Sequence, residues 1–205
     1  MGIHNETLSY RTIQQTVTAV YKDRGSRFLA VIFPIASAEE FKKQLVQLRK
    51  EHPKAVHHCY AYRINPEHPI SRSSDDGEPS GTAGKPILNQ LETHQLLNVG
   101  VVVVRYFGGT LLGTGGLIQA YRTATSLSIQ SVPIVQKDRV VKYSLEFDYQ
   151  LFNEVMSLLK SCETSIEQQE IGLFCRMQVL VPNRMKPTWL FRIGELGQAI
   201  TFQAS

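Results

Sequence analysis

One stretch of the chain decides the fold: residues 99–116, which read VGVVVVRYFGGTLLGTGG. Residues 99–104 are apolar on both faces and rich in β-branched side chains, which predicts a strand covered above and below. Glycines then mark a turn, and a helix is expected from about residue 116 to residue 130. The stretch therefore predicts a buried strand that leads through a glycine-rich turn into a helix.

Upstream of this stretch the pattern predicts two strands, a helix and a third strand. Residues 14–35 alternate on either side of a turn at 23–26, as two paired strands do. Ser37 begins a capping box, and the helix that follows ends near Pro53. Residues 56–64 read as the third strand.

The segment that follows is rich in proline, glycine and serine. Residues 65–84 hold three prolines and three glycines, so we expect an exposed, mobile loop. Pro86 then opens a helical stretch that carries Ile87, Leu88 and Leu91.

After Pro133 the pattern changes. The expected elements are a strand at 140–149, a helix at 152–159, a hairpin at 163–181, a short helix from 183 and a strand at 199–202. This β-α-β-β-α-β order is that of the split ferredoxin-like unit. A chain of 205 residues suits two domains of about 100 residues each. We therefore expect an α+β protein with domains at residues 1–132 and 137–205.

Composition excludes several classes of protein. Hydrophobic residues make up 42% of the chain and charged residues 20%, which favours globular domains over disorder. No apolar run approaches the ~18 residues of a membrane-spanning helix, and residues 1–5 show no signal-peptide pattern. The three cysteines, Cys59, Cys162 and Cys175, suit neither a disulfide framework nor a zinc site. We therefore expect a cytoplasmic protein.

The excess positive charge is concentrated in the first part of the chain. Residues 1–135 carry 14 Lys and Arg against 10 Asp and Glu, whereas residues 136–205 carry 8 of each. Such an excess is compatible with a polyanionic partner, although most proteins of this charge bind no nucleic acid.

Nine of the 14 glycines lie between Gly77 and Gly116, in two clusters that bracket one helix and one strand. Glycine lets a phosphate or another backbone approach closely. Two interpretations stay open: tight turns around a buried strand, or a surface for a polyanion. The phosphate-loop motif fails at Pro79 and Pro86. Residues 81–84 resemble the short GxxG loop that clamps RNA backbones, which is a weakly specific pattern.

Basic and aromatic side chains accompany these glycines. Arg105 follows the apolar strand next to Tyr106 and Phe107, where it could hold a phosphate beside a stacked base. Because neighbouring strand residues face opposite ways, one of the two rings belongs to the core. Alternatively, Arg105 anchors the loop at Asp75 and Asp76 by a salt bridge. The candidate nucleic-acid-binding residues are Lys85, Arg105, Tyr106, Gly108, Gly109, Gly113, Thr114, Gly115, Gly116 and Arg122.

These motifs closely resemble the signature of the YigZ/IMPACT family. The matching segments are HHC at 57–59, DDGEP at 75–79, GTAGKP at 81–86, RYFGG at 105–109 and LGTGGL at 112–117. The residues of the family-motif loop are His57, His58, Asp75, Asp76, Gly77, Glu78, Gly81, Thr82 and Gly84. The resemblance covers nearly the whole chain.

The resemblance implies a fold and a function. The first domain is expected to be similar to the β-α fold shared by a small-subunit ribosomal protein and domain IV of elongation factor G, and the second to be ferredoxin-like. Eukaryotic members regulate translation through an additional N-terminal domain that has no counterpart in these 205 residues. We therefore expect a non-enzymatic RNA- or ribosome-binding protein with a role in regulating translation, and no cofactor or bound metal.

Two alternatives stay open. Asp75, Asp76 and Glu78 could hold a divalent metal, with His57 or His58 nearby, in a small hydrolase. The two histidines are consecutive on a strand, however, so their side chains face opposite sides. A pure protein-interaction module is the other alternative.

Overall fold

The computed structural model of the protein describes residues 8–204, so the prediction that residues 1–5 show no signal-peptide pattern concerns residues outside the described part. The chain forms two compact units, one of residues 10–137 and one of residues 138–204 with residues 8–9. Each unit contains both helices and strands, which confirms the predicted α+β class. No helix within residues 8–204 is long and apolar enough to cross a membrane.

The N-terminal unit is built on a five-stranded antiparallel sheet. The whole unit contains seven strands within the described residues: β1 (Ser9–Ile13), β2 (Val17–Asp23), β3 (Ser26–Pro34), β4 (His57–Ile64), β5 (Ile70–Ser74), β6 (Val99–Tyr106) and β7 (Ile134–Asp138). Its helices are α1 (Ala38–Glu51), α2 (Gly84–Thr93) and α3 (Gly113–Gln130). The main sheet has the order β2-β3-β6-β4-β5, while β1 and β7 form a separate two-stranded ribbon.

The central strand β6 is buried on both faces, as predicted. Val101 and Val103 belong to the core that packs under α2 and α3. Val102 and Val104 belong to the core on the opposite face, which α1 covers through Phe41. The helix α1 begins at the Ser37 cap, whose hydroxyl accepts a hydrogen bond from the backbone N–H of Glu40, so the predicted start of this helix is confirmed.

The exposed loop predicted for residues 65–84 is only partly correct. Residues 70–74 form β5, which pairs with β4 at the edge of the sheet. Glu78 and Thr82 are buried, although both are polar. The serine-rich residues of β5 show no alternation of apolar and polar side chains, because this edge strand is stabilised by backbone hydrogen bonds rather than by buried side chains.

The short strands β1 and β7 were not predicted either, and α3 begins three residues earlier than expected.

The C-terminal unit is a four-stranded antiparallel sheet with two helices. Its strands are β8 (Val140–Asp148), β9 (Ser165–Glu170), β10 (Phe174–Pro182) and β11 (Ile200–Ala204), and its helices are α4 (Phe152–Ser161) and α5 (Lys186–Glu195). The sheet order is β11-β8-β10-β9. A separate core contains Trp189, whose ring centroid lies 4.5 Å from that of Tyr143.

Candidate functional site

The motifs singled out in the sequence meet at one end of the five-stranded sheet, which we call the motif end. It comprises the turn at 23–26, residues 57–59, the segment 75–84 and residues 105–116. Strand register brings them together, because Arg105 on β6 pairs with Phe28 on β3 and with His57 on β4. Both α2 and α3 begin at this end.

A buried hydrogen-bonded network occupies the centre of the motif end. The Nη1 of Arg105 donates to Oε1 of Glu78 over 2.6 Å, and the hydroxyl of Tyr121 donates to the same oxygen over 2.7 Å. The Arg105 and Glu78 side chains are only 6% and 3% exposed. The Sγ of Cys59 lies 3.2 Å from the Tyr121 hydroxyl. Burial raises the pKa of Cys59 and of Tyr121, so both groups stay uncharged at neutral pH.

This geometry uses the Arg105 guanidinium inside the protein. It lies against the Phe28 and Phe107 rings, 5.5 and 5.7 Å from their centroids, and its ionic partner is Glu78. A phosphate contact would require this buried pair to open, which is costly. Of the two roles considered for Arg105, the geometry favours anchoring the acidic loop, with Glu78 rather than Asp75 or Asp76 as the bonded residue.

Asp75 binds the start of helix α2. Its carboxylate accepts hydrogen bonds from the backbone N–H groups of Gly81, Ala83 and Gly84 at 2.8–2.9 Å. Burial alone would raise the pKa of Asp75, but these three donors outweigh it and lower the pKa. The GxxG-like loop therefore already holds an internal anion, which leaves its N–H groups unavailable to an RNA phosphate.

Asp76 joins strand β4 to helix α1. One carboxylate oxygen accepts the backbone N–H of His58 at 2.7 Å, and the other accepts Arg49 at 2.6 Å. The Asp76 carbonyl oxygen accepts a hydrogen bond of 2.8 Å from Nδ1 of His57. The His58 ring is buried on the opposite face of the strand, and burial is the main cause of its lowered pKa.

The three acidic side chains of the loop are therefore engaged by protein donors. Asp75, Asp76 and Glu78 each accept at least two hydrogen bonds from backbone or side-chain groups. Within residues 8–204, no three His, Cys, Asp or Glu side chains converge in a way that could hold a metal ion. The arrangement is that of a structural lock on the loop, which gives the hydrolase alternative no support.

Two of the glycines permit close backbone packing. A Cβ on Gly108 would lie 1.9 Å from the carbonyl carbon of Gly25, and one on Gly84 would lie 2.7 Å from the Ser74 nitrogen. A Cβ on Gly109, Gly113 or Gly115, in contrast, would meet no atom of the described residues within 4 Å, and one on Gly116 would lie 3.0 Å from the Leu112 side chain. Gly77, Gly81, Gly109 and Gly113 adopt positive φ, a conformation that favours glycine.

The remaining candidates lie on α2, on α3 and at the end of β6. Lys85 and Arg122 are exposed on α2 and α3, and Thr114 is exposed in the first turn of α3. That turn has neither a side-chain cap nor an acidic residue. Tyr106 is half-buried, and its hydroxyl lies 2.8 Å from Nδ1 of His52.

The structure also adds residues that the sequence reasoning missed. Lys22, Arg24 and Arg27 surround the β2–β3 turn, are exposed, and form no ion pair with another described residue. Two features of the sequence could have indicated this cationic surface. One is the concentration of charged residues at 22–27, and the other is the complete absence of Asp and Glu from residues 93–137, which span β6 and α3.

Comparison with known proteins agrees with the motif reading. The sequence profile of the "Impact N-terminal domain" matches residues 24–129, which include the whole buried network. The chain is 35% identical to IMPACT family member YigZ of Escherichia coli, over 81% of this chain and 82% of that protein. It is 32% identical to IMPACT family member YvyE of Bacillus subtilis, over 85% and 88% of the two chains. The protein therefore belongs to the IMPACT family, which confirms the resemblance.

A solved structure matches both units. The crystal structure of a hypothetical protein has a TM-score of 0.78 and 30% sequence identity to this chain, and the match covers 97% of this chain and 98% of that one.

Proposed function

We propose that this protein binds RNA, free or within the ribosome, through the motif end of its N-terminal unit, and that it acts in the cytoplasm in the regulation of translation. The observation that carries the proposal is the balance of charge at this end. The three carboxylates of the acidic loop accept hydrogen bonds from internal donors, and two of them, Asp76 and Glu78, are paired with Arg49 and Arg105. Five exposed cations form no ion pair within residues 8–204, namely Lys22, Arg24, Arg27, Lys85 and Arg122, and Asp23 lies between the first two of them.

The start of α3 supports the same proposal. Its first turn offers backbone N–H groups with no side-chain acceptor in the described part of the chain, next to the exposed Thr114 and Gly115. The N-terminus of a long helix carries partial positive charge, which favours a phosphate oxygen. Because α3 contains no Asp or Glu, nothing on the helix repels a polyanion.

Family membership supports the biological part of the proposal, since the resemblance implies translational regulators among eukaryotic members. We also propose the finer folds that go with it: a β-α domain like domain IV of elongation factor G, followed by a ferredoxin-like domain. The order β-α-β-β-α-β with β8 and β10 at the centre of the second sheet supports the ferredoxin-like assignment.

Salt-dependent RNA binding tests the proposal. The double variant Arg24→Gln with Arg27→Gln should weaken binding to single-stranded RNA, and each lost phosphate contact should flatten the salt slope by about 0.7. The matched control replaces Lys42 and Lys43, two exposed cations at the other end of the unit, by Gln and should behave as the parent protein. Affinity that is independent of salt, or equally sensitive in the control, would contradict the proposal.

A further inference from the structure

The loop between β6 and α3 carries an exposed aromatic ring. Phe107 is 47% exposed although it directly follows the most buried strand of the sheet. The next residues are Gly108 and Gly109, which have no side chains to cover the ring. Leu111 of the same loop is 81% exposed, so the loop presents two apolar side chains to solvent, and such an apolar surface points to a partner outside the chain.

The ring has a defined support on one side. The Arg105 guanidinium lies 5.7 Å from its centroid, within cation–π distance, and the salt bridge to Glu78 fixes that guanidinium. The loop itself is held against the β2–β3 turn, because the backbone N–H of Gly108 donates to Oγ of Ser26 over 3.1 Å. Phe107 is therefore an oriented platform rather than a loose side chain.

The charge around the platform indicates its partner. The adjoining turn contributes Arg24 together with Asp23, while Lys22 and Arg27 flank it, and no Asp or Glu occurs in the loop or in α3. An apolar surface of another protein gains little from such a cationic rim, whereas a nucleic acid presents flat bases and phosphates together. A flat base stacks on a phenyl ring with little dependence on its sequence.

We propose that Phe107 stacks on an unpaired base, so that the RNA bound at the motif end is single-stranded. This inference rests on the proposed RNA binding and narrows it to a substrate class. Within an RNA duplex both faces of every internal base are covered by its neighbours, and a protein reaches only the backbone and the shallow groove. An exposed stacking platform on this loop is therefore of use for a single strand, whose bases are uncovered.

The experiment compares a short single-stranded oligonucleotide that contains 2-aminopurine with the corresponding duplex. Stacking of the fluorescent base on Phe107 should quench its emission in the parent protein. Phe107→Ala should abolish the quenching and lower single-strand affinity by about 5- to 150-fold, with little effect on the duplex. Phe107→Trp should preserve both the quenching and the single-strand affinity. Phe107→Leu keeps an apolar but not a flat side chain and should behave like Phe107→Ala.

The controls separate the possible results. Phe191 is 70% exposed on α5, so Phe191→Ala removes an exposed ring elsewhere and should change nothing. Melting curves of all variants check that each is folded. The stacking inference is overturned if salt-dependent binding is unchanged in Phe107→Ala, or if Phe107→Leu retains it in full. Either result leaves the proposed function standing. No salt-dependent binding to either oligonucleotide overturns both.

Discussion

Arg105 and Glu78 form a buried salt bridge of 2.6 Å that joins two glycine-rich motifs lying 27 residues apart in the chain. Tyr121 from α3 donates to the same carboxylate oxygen. The strand, the acidic loop and the helix that define the motif end therefore meet at one oxygen atom. The family motifs therefore stabilise the motif end through internal contacts, in addition to any role they have in binding.

Breaking this salt bridge should be strongly destabilising. Glu78→Gln leaves the Arg105 guanidinium buried without its counter-charge, so we expect the free energy of unfolding to fall by about 3–5 kcal/mol. Urea denaturation measures the loss. Glu167→Gln, which disrupts the half-exposed pair with Lys142, should cost less than about 1 kcal/mol. Equal costs in the two variants would show that the buried pair has no special role.

Replacing glycine by alanine should have opposite effects on stability at Gly108 and at Gly115. Gly108→Ala would place a Cβ 1.9 Å from the Gly25 backbone, so the turn must move, and a loss of about 1–3 kcal/mol or more is expected. Gly115→Ala lies on α3 with free space around it and should be neutral or stabilising by up to about 1 kcal/mol. Thermal melting of the two variants checks the difference. A stable Gly108→Ala protein would mean that the loop does not contact the turn.

Acid should destabilise the protein through His58. Burial lowers its pKa in the folded state, while Asp76 opposes this shift and Arg49, His52 and His57 add to it. Between the folded-state and unfolded-state pKa values the unfolded chain binds more protons. The free energy of unfolding is therefore expected to fall as the pH drops below about 6.5.

Urea midpoints at neutral and mildly acidic pH measure this effect. His58→Phe should be less sensitive to pH than the parent protein, because the buried group no longer titrates. The exposed His68, replaced by Asn, serves as the control and should keep the full pH dependence. If His58→Phe lost stability with acid as steeply as the parent protein, another group would have to be responsible.

The two domains are predicted to fold independently. The ribbon of β1 and β7 refines the boundary, because a fragment of residues 1–132 lacks β7 and with it Ile134, which packs against the core. A fragment of residues 1–138 should therefore melt cooperatively and at a higher temperature than 1–132. Circular dichroism of these fragments and of residues 138–205 is the measurement. A C-terminal fragment without a cooperative transition would exclude independent folding.

Periodicity was sufficient for the elements that bury one or two apolar faces. The valines of β6 and the apolar stripe of α1 report burial directly, since residues two apart in a strand, and three or four apart in a helix, share a face. It failed for β5, whose residues 70–74 include three serines and whose stability comes from backbone pairing with β4. The ribbon strands β1 and β7 were missed because each finds its partner more than 100 residues away.

The site could be located from the sequence but its internal contacts could not. The glycine clusters indicated where the motif end lies, and the resemblance supplied the motif residues. The partner of Arg105 depends on three-dimensional register, which places Glu78 and Tyr121 on one side of the strand. A single sequence does not report such pairings, because charge complementarity between distant residues leaves no local pattern.

The position of β6 in the middle of the sheet also bears on how the chain is made. Its two neighbours, β3 and β4, are both synthesised before it, and each leaves one backbone edge unpaired until residue 106 is available. At about 5–20 residues per second, the interval between the ends of β4 and β6 lasts roughly 2–8 s. During that time the nascent chain presents two apolar strand edges to other chains. Chaperone demand should therefore peak before the glycine-rich turn is translated and should cease once β6 enters the gap.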